Sequence, residues 1–414
     1  MKRNLFRQMC NEWRENIWLI IGLALVTMAI WLLSLSMGSA IASLLEPRGF
    51  DPENVVIAQF AAVPDQSPDY IDYGEKPSEL YLRDRKAILA EIRKSPYVES
   101  VGIGKNALPY FFNYYGTALV RTDVKNDSLT FPGNLRVMSP DMAKVLRLQD
   151  LDGKSPDQLS EILSRGELLV SEGTYTQGML GIEDIKGHLL SVYSDTINRY
   201  RLGGAVNTVK RGDFEPNFRG MIIIPFDENS PVQVNDIAIR VKEGCMSGFL
   251  EEMQDNKSMR RYGNTLVTKI QPLVSAGKTV NKSEVLKIRF TIIVMSVFLL
   301  IIFLGLLGTF WFRVQQRVKE IAIRKVCGAT SGDIMRRILG EGMILLLLAT
   351  ALGAAIGWPL IIEVLNKDEI VNKGSILIFE TLTLALMSAG ICLSIWLPAR
   401  KAMAIEPAIA IKEE

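Results

Sequence analysis

The chain has 414 residues, 48% of them hydrophobic, and its formal net charge at pH 7 is +2. That length leaves room for a membrane domain together with a sizeable water-soluble domain. The nearly balanced charge argues against a nucleic acid as the main partner. The cysteines are Cys10, Cys245, Cys327 and Cys392, and their wide spacing indicates neither a zinc site nor a redox motif.

Residues 1–16 are polar and basic, and Leu5, Met9 and Trp13 recur among them at a helical interval. A basic helix with one apolar stripe is typical of a segment that lies on a membrane surface. We therefore predict a cytoplasmic amphipathic helix here, with a disordered basic tail as the alternative.

Residues 17–45 contain no charged side chain. They exceed the roughly 20 residues that a helix needs to cross the hydrocarbon core, so we predict the first membrane helix there. Ser34, Gly38 and Ala42 fall four residues apart and predict the close approach of another helix. The alternative is that these small residues simply face lipid.

Residues 46–289 combine turns rich in Pro, Gly, Asp and Asn with alternating strands and amphipathic helices. They predict a large α+β domain inserted between the first and second membrane helices. A β-α-β pattern near each end suggests a split ferredoxin-like first lobe, formed by about 46–124 and 235–271. A second lobe spans about 125–234, and a helical stalk spans 272–289.

The elements predicted for the second lobe and its border are short. They are strands at 117–122, 167–171, 187–193, 199–206 and 221–225 and a helix at 173–180. The strand at 117–122 is assigned to the first lobe, and the strands at 187–193 and 199–206 are predicted to pair.

The last third of the chain alternates apolar runs with short polar connections. We predict membrane helices at 290–312, 343–362 and 375–399, a basic loop at 313–342, a connector at 363–374 and a tail at 400–414. Gly353 and Gly357 have the spacing of a helix-packing motif. Glu380 is the one acidic residue inside a predicted span, and a role at the membrane interface or in ion transport both remain open.

The distribution of basic residues predicts the orientation, because loops rich in Lys and Arg remain in the cytoplasm. The basic loop carries Arg313, Arg317, Lys319, Arg324, Lys325, Arg336 and Arg337. The connector carries only Lys367 and Lys373. Both termini and the basic loop are thus predicted inside, and the large domain outside, a bacterial inner membrane.

The basic loop has the pattern of two short helices joined by a turn. Val314, Val318, Ile321 and Ala322 form one apolar face of the first helix. Gly328 is suited to the left-handed residue that ends that helix.

Polar residues of the same loop predict a cap and an ion pair. Thr330, or Ser331 beside it, is suited to the N-cap of the second helix, with Asp333 in its first turn. Glu320 lies three residues after Arg317 and four before Arg324, so it is placed to pair with either arginine. Glu341, at the cytoplasmic start of the third predicted membrane helix, is also placed to pair with an arginine of this loop.

These residues carry a resemblance to a known family. The run Arg317, Glu320, Ile321, Ile323, Arg324, Lys325, Gly328, Ala329, Thr330, Asp333 and Ile334 resembles the signature of FtsX-like ABC permeases. The ending, with Pro398, Ala399, Arg400, Lys401, Ala402, Ile405, Pro407, Ala410 and Ile411, is similar to that of the same family. A pattern within the large domain resembles the periplasmic core domain of MacB-type permeases. An ordinary loop made basic by the positive-inside rule is the alternative.

The resemblance implies the membrane subunit of a type VII ABC transporter. Its large domain would contain porter-like and Sabre-like lobes, and the basic loop would be the coupling helix that contacts a separate ATPase. The residues implied in that coupling are Arg317, Glu320, Ile321, Arg324, Lys325, Gly328, Ala329, Thr330 and Asp333.

The sequence offers no phosphate-binding loop of its own. Gly277-Lys278-Thr279 and Gly153-Lys154-Ser155 each end such a motif but lack its first glycine. We find no catalytic constellation either, and a membrane-bound enzyme has the least support. The prediction is therefore that this chain holds no cofactor and that a partner ATPase binds ATP and magnesium.

The expected function is to couple ATP hydrolysis by that partner to movement of the periplasmic domain, for export or extraction of a drug, peptide or lipoprotein. The alternative is an FtsX-type signalling scaffold that regulates a periplasmic partner such as a wall hydrolase. The family implies a dimer with a second copy or a paralogue, contact with membrane lipid, and an adaptor and outer-membrane channel in some members.

Overall fold

The computed structural model describes residues 13–74, 76–111, 115–124, 129–171, 180–193, 195–214, 220–368 and 373–403. Most of the amphipathic helix predicted at 1–16, almost all of the helix predicted at 173–180, and the tail beyond 403 lie outside these ranges. The chain divides into two compact units: Met1–Ile41 with Glu284–Glu414, and Ala42–Ser283. We call them the membrane unit and the sheet unit.

The helices are numbered in chain order. They are α1 (Trp13–Leu45), α2 (Pro77–Lys94), α3 (Pro140–Leu146), α4 (Pro156–Ser164), α5 (Ile182–Ile185), α6 (Met246–Asp255), α7 (Lys257–Arg260), α8 (Leu273–Gln316), α9 (Val318–Val326), α10 (Ser331–Asp368) and α11 (Lys373–Met403).

Most strands are short, and the four longest have eight residues each. They are β1 (Val55–Ala62), β2 (Val98–Lys105), β3 (Gly116–Arg121), β4 (Phe131–Met138), β5 (Leu168–Ser171), β6 (Leu190–Val192), β7 (Asp195–Tyr200), β8 (Leu202–Ala205), β9 (Met221–Pro225), β10 (Asp236–Val241), β11 (Arg261–Tyr262) and β12 (Thr265–Pro272).

The described residues contain four helices long and apolar enough to cross a membrane. The candidate spans are Ile17–Leu45, Leu273–Gln316, Ser331–Pro359 and Thr381–Lys401. Each corresponds to one predicted membrane helix, and the large sheet-rich insertion lies between the first two. The predicted stalk at 272–289 is the start of α8, which continues without a break into the second span.

Small residues lie where helices of the membrane unit approach closely. A Cβ added to Gly353 would lie 3.0 Å from the carbonyl oxygen of Ala24, and one added to Gly357 would lie 3.0 Å from the Trp31 ring. Ser34 is buried and accepts a hydrogen bond of 3.3 Å from Thr383. Gly38 on the same helix is also buried.

The predicted stripe of small residues is not uniform. Ala42, its last member, is exposed and belongs to the sheet unit. The approach of another helix therefore involves only the earlier part of the stripe.

Four strands of the sheet unit form a ferredoxin-like arrangement. Their order is β12-β1-β10-β2, and each neighbouring pair is antiparallel. Helix α2 connects β1 to β2, and α6 with α7 connects β10 to β12, so each end of the sheet unit supplies one β-α-β unit.

The two faces of β1 contribute to different cores because successive side chains of a strand point in opposite directions. Val56 and Ala58 pack with α2 and α6 in one cluster. Val55 and Ile57 pack in the other, which also contains residues of α3 and α4 and the start of α8.

The remaining strands extend the same sheet. β3 pairs with β4 and β6, two strands that lie within residues 125–234. β6 pairs with β7, whereas β8 pairs in parallel with β5. The predicted pairing between 187–193 and 199–206 is therefore found only at its start, where Tyr200 of β7 pairs with Leu190. The rest of 199–206 forms β8, which pairs with β5 instead.

Candidate functional site

The candidate site lies in the membrane unit, where α8 ends and a short helix begins. Arg317 has φ −101° and ψ 13°, which interrupts the helix between α8 and α9. Helix α9 has nine residues and buries Ile321 and Ala322. Ile321 contacts Val314 and Ile334, so these residues of α8, α9 and α10 form a small apolar cluster.

The turn after α9 is set by Gly328. Its φ is +94°, a left-handed conformation that glycine adopts without a side-chain penalty. The amide of Gly328 donates to the carbonyl of Lys325, and the amide of Ala329 donates to that of Arg324, both at 3.0 Å. This pair of bonds is a Schellman motif, which satisfies carbonyls that the helix end would leave without partners.

Helix α10 begins at Ser331 with a reciprocal cap. The amide of Asp333 donates to the Thr330 hydroxyl at 3.2 Å, and the amide of Thr330 donates to the Asp333 carboxylate at 3.1 Å. Thr330 is therefore the N-cap, and Asp333 places negative charge near the positive end of the helix dipole. The second helix predicted in this loop is not separate, because α10 continues to Asp368 and includes the third candidate span and part of the predicted connector.

Three arginines and two glutamates form a chain of ion pairs. Arg317 donates to both oxygens of Glu341 at 3.0 Å, and Arg324 donates to Glu320 at 2.6 and 3.0 Å. Arg337 lies 3.9 Å from Glu320 and 4.0 Å from Glu341. Of the two partners predicted for Glu320, Arg324 bonds it directly, while Arg317, at the helix break, donates to Glu341.

These helices enclose a cleft of about 390 Å³. Its walls combine an apolar floor with a charged rim, including Phe310, Ile321 and Ile338 together with Arg313 and Asp333. The volume is within the range of about 300–1,000 Å³ that is usual for ligand pockets. Among the described residues, no group of three metal-ligating side chains is positioned to hold a metal ion.

The outward face of α9 carries exposed apolar side chains. Ile323 is 56% exposed and Val326 is 66% exposed. They lie three residues apart on a charged helix, and Lys319, four residues before Ile323, is also exposed. The exposure of Ile323 could be anticipated from the sequence, since it falls on the side of the helix away from Val318 and Ile321.

The predicted coupling residues differ in how far the structure buries them. Ile321 is buried and supports α9 from inside, and Ala329 lines the cleft. Gly328 and Thr330 are exposed in the turn, and Lys325 is half-buried. Arg337 and Glu341 belong to the same cluster, although the predicted set omitted both.

Comparison with known proteins identifies this part of the chain. Residues 292–407 match the family model "FtsX-like permease C-terminal". The chain therefore carries an FtsX-like permease region. The predicted resemblance is confirmed, and the matched stretch contains the whole of α9, the Gly328 turn and α10.

Curated relatives of this chain include macrolide exporters of bacteria. It is 27% identical over 187 residues to the macrolide export ATP-binding/permease protein MacB of Escherichia coli K12. The identity to MacB of Salmonella paratyphi A is also 27% over 187 residues. Each alignment covers 44% of this chain and 28% of the relative, so the chain spans less than a third of the length of these relatives.

A solved structure similar to this chain is the extracellular domain of the noncanonical ABC-type transporter YknZ from Gram-positive bacteria. The match covers 51% of this chain and all of that domain, at 10% identity and a TM-score of 0.31. A similarity at that level carries no conclusion about the fold. The chain thus combines an FtsX-like C-terminal region with four described helices long and apolar enough to cross a membrane.

Proposed function

We propose that this protein is the membrane subunit of an ABC transporter and that α9 receives force from a separate cytoplasmic ATPase. The observation that supports this most directly is the exposed pair Ile323 and Val326. Apolar side chains on a charged helix outside the hydrocarbon core gain free energy when a protein partner covers them. Burying one such side chain contributes about 1.5–3 kcal/mol, so the pair is sufficient to anchor a contact.

The architecture of the site supports transmission of that force. A partner that presses on α9 also presses on the apolar cluster beneath it, since Ile321 contacts residues of both α8 and α10. The pairs Arg317–Glu341 and Arg324–Glu320 connect the same three helices through charge. A displacement of α9 thus reaches two membrane helices directly.

In this proposal both termini and the coupling segment, residues 313–342, are cytoplasmic, and the sheet unit is periplasmic. The lysine and arginine distribution supports that orientation. Two permease copies, or one with a paralogue, would each bind an ATPase. The name of the MacB relatives combines ATP binding with macrolide export, which supports an export or extraction role for a drug, peptide or lipoprotein.

The proposal is tested by capturing the ATPase on the full-length chain. Tagged protein is purified from its native membranes, and bound proteins are identified and assayed for ATP hydrolysis. The double variant Ile323→Asp/Val326→Asp should reduce the recovered ATPase activity at least about tenfold, because it removes two apolar contacts.

The matched control is Val232→Asp, which changes a valine of similar exposure in the sheet unit. It should leave recovery of the ATPase unchanged. Equal recovery with the double variant and the control would show that α9 is not the contact. Proteins that co-purify also separate the functions, since an adaptor indicates export and a wall hydrolase indicates regulation.

A further inference from the structure

One buried cluster of the sheet unit joins the two chain segments that continue into membrane helices. Lys210, on the loop between β8 and β9, is 1% exposed. Its Nζ donates to the carbonyl of Ser43 and lies 3.4 Å from the carboxylate of Glu46, and its amide donates to the carbonyl of Arg48 at 3.1 Å. This loop is therefore bound to the end of α1 and the residues that follow it.

Asp213, three residues further along the same loop, contacts both segments at once. It accepts from Arg48 at 3.1 Å and from Asn281 of α8 at 2.8 Å. The amide of Asp213 also donates to the side-chain oxygen of Asn281 at 3.0 Å. Asn281 is buried, so breaking these bonds would leave polar groups without partners.

Tyr110 completes the cluster, and its backbone conformation is unusual. Its hydroxyl donates to Asp213 at 3.0 Å, and its ring stacks edge-on against Phe50 with 5.5 Å between centroids. Its φ is +62°, a left-handed conformation that an aromatic residue adopts only when the surrounding contacts compensate for the strain. A Cβ added to Gly277 of α8 would lie 2.8 Å from the Tyr110 ring, so this tyrosine also requires a glycine on that helix.

We propose that Asp213, Lys210 and Tyr110, with their partners Glu46, Arg48 and Asn281, form a clasp that positions the end of α1 and the start of α8 against the lobe inserted between β2 and β10. The inference rests on the proposed function and extends it, since it identifies where force carried by the two helices enters the periplasmic domain. Displacement of either helix would move this lobe.

The packing around the clasp supports that role. Leu273 and Ala276 of α8 share an apolar core with Phe50 and with residues of α3 and α4. The clasp is therefore continuous with a tightly packed core. A cluster that only stabilised the surface of the domain would need to contact just one of the two segments. Burial raises the pKa of the Tyr110 phenol, which keeps its hydroxyl protonated and able to donate to Asp213.

The test measures distances in the full-length chain with spin labels. Native cysteines are replaced by serine, and labels are placed at exposed positions in two pairs: Leu44→Cys with Lys282→Cys across the clasp, and Leu44→Cys with Leu151→Cys from α1 to the inserted lobe. Both pairs should give narrow distance distributions, and these should stay unchanged when ATP is added to the complex with its ATPase.

Asn281→Leu removes the hydrogen bonds between α8 and Asp213, and Arg48→Ala removes the ion pair between Asp213 and the segment after α1. Each variant should raise the population of a second, longer distance between positions 44 and 282 by about tenfold, since each loses hydrogen bonds to a charged group. The control Glu183→Ala breaks an exposed ion pair of the same domain and should leave both distributions narrow.

The outcomes separate the two proposals. Narrow distributions in Asn281→Leu and Arg48→Ala would overturn the clasp. A distance between positions 44 and 151 that changes with ATP in the unaltered chain would overturn its role in transmission. Failure to capture an ATPase would overturn the proposed function. The widths of the distance distributions measured without nucleotide would still decide whether the clasp exists.

Discussion

Buried arginines in the sheet unit and half-buried arginines at the coupling segment differ in the groups that accept their hydrogen bonds, which are mainly backbone carbonyls in the first region and carboxylates in the second. Arg240 is 1% exposed and donates to the backbone carbonyls of Val145, Asp51 and Glu53 as well as to the Asp51 carboxylate. Arg317 at the coupling segment donates instead to the side chain of Glu341.

The difference indicates which region is built to stay fixed and which is able to rearrange. An arginine bound to several carbonyls determines the path of the backbone, because any other path would bury unpaired oxygens. Ion pairs between side chains on three helices can exchange partners, since Arg337 already lies near both Glu320 and Glu341. The coupling segment can therefore reorganise without unfolding.

The largest effect should come from Arg240→Met, which removes an arginine that is bound to several backbone carbonyls. Loss of a buried, hydrogen-bonded charge typically costs about 3–5 kcal/mol, so the sheet unit should unfold at much lower denaturant concentration. All six tryptophans, Trp13, Trp18, Trp31, Trp311, Trp358 and Trp396, lie outside residues 42–283. Hydrogen exchange in the sheet strands should rise while tryptophan fluorescence of the full chain in detergent stays native.

The control for this variant is Arg93→Met, which removes a half-exposed arginine paired with Glu228 on the surface. Exposed pairs contribute about 0–1 kcal/mol, so little change is expected. Equal destabilisation by the two variants would break the distinction between backbone-bound and side-chain-bound arginines.

An intermediate effect is expected for Glu341→Gln, which neutralises the buried partner of Arg317. The loss of charge-assisted hydrogen bonds should cost about 1.5–3 kcal/mol in the membrane unit. Tryptophan fluorescence during unfolding of the full chain measures this loss directly. Glu320→Gln, at a more exposed position, should cost less than about 1 kcal/mol, and the reverse ranking would contradict the assignment of Glu341 as the central acid.

A smaller effect than that of Glu341→Gln should come from Thr330→Ala, which removes the N-cap of α10. Caps of this kind contribute about 1 kcal/mol, so the first turn of α10 should exchange its amide hydrogens faster while the rest of the helix is unaffected. Thr330→Ser keeps the hydroxyl and should restore slow exchange. Unchanged exchange in the alanine variant would show that Asp333 and the Gly328 turn suffice.

The sequence was informative where structure depends on local chemistry. Gly328 and Thr330 determine a helix end and a helix start within three residues, so their roles could be predicted from residue type and position. That Glu341 pairs with an arginine of this loop could be expected from the sequence, but the choice of Arg317, 24 residues away, depends on the helix break there, which no periodicity signals.

Two features of the sheet unit show why other elements were missed. β4 contains Pro132 and Gly133, which usually argue against a strand; both lie in its ladder with β3, while its pairing with β9 begins at Asn134. Helices α3 and α4 each begin with Ser-Pro-Asp, at Ser139 and Ser155, and this repeated start signal would have predicted them.

The continuity of α10 has a mechanical consequence. Its 38 residues extend about 57 Å, from the cap at Thr330 through the third candidate span. A hydrogen-bonded helix resists twisting, so torque applied at its first turn would be felt along its length. Pro359 has no backbone amide hydrogen, so one helical hydrogen bond is missing at that turn. The helix is therefore easiest to bend or twist there, and a torque applied at the first turn would be transmitted less well beyond this point.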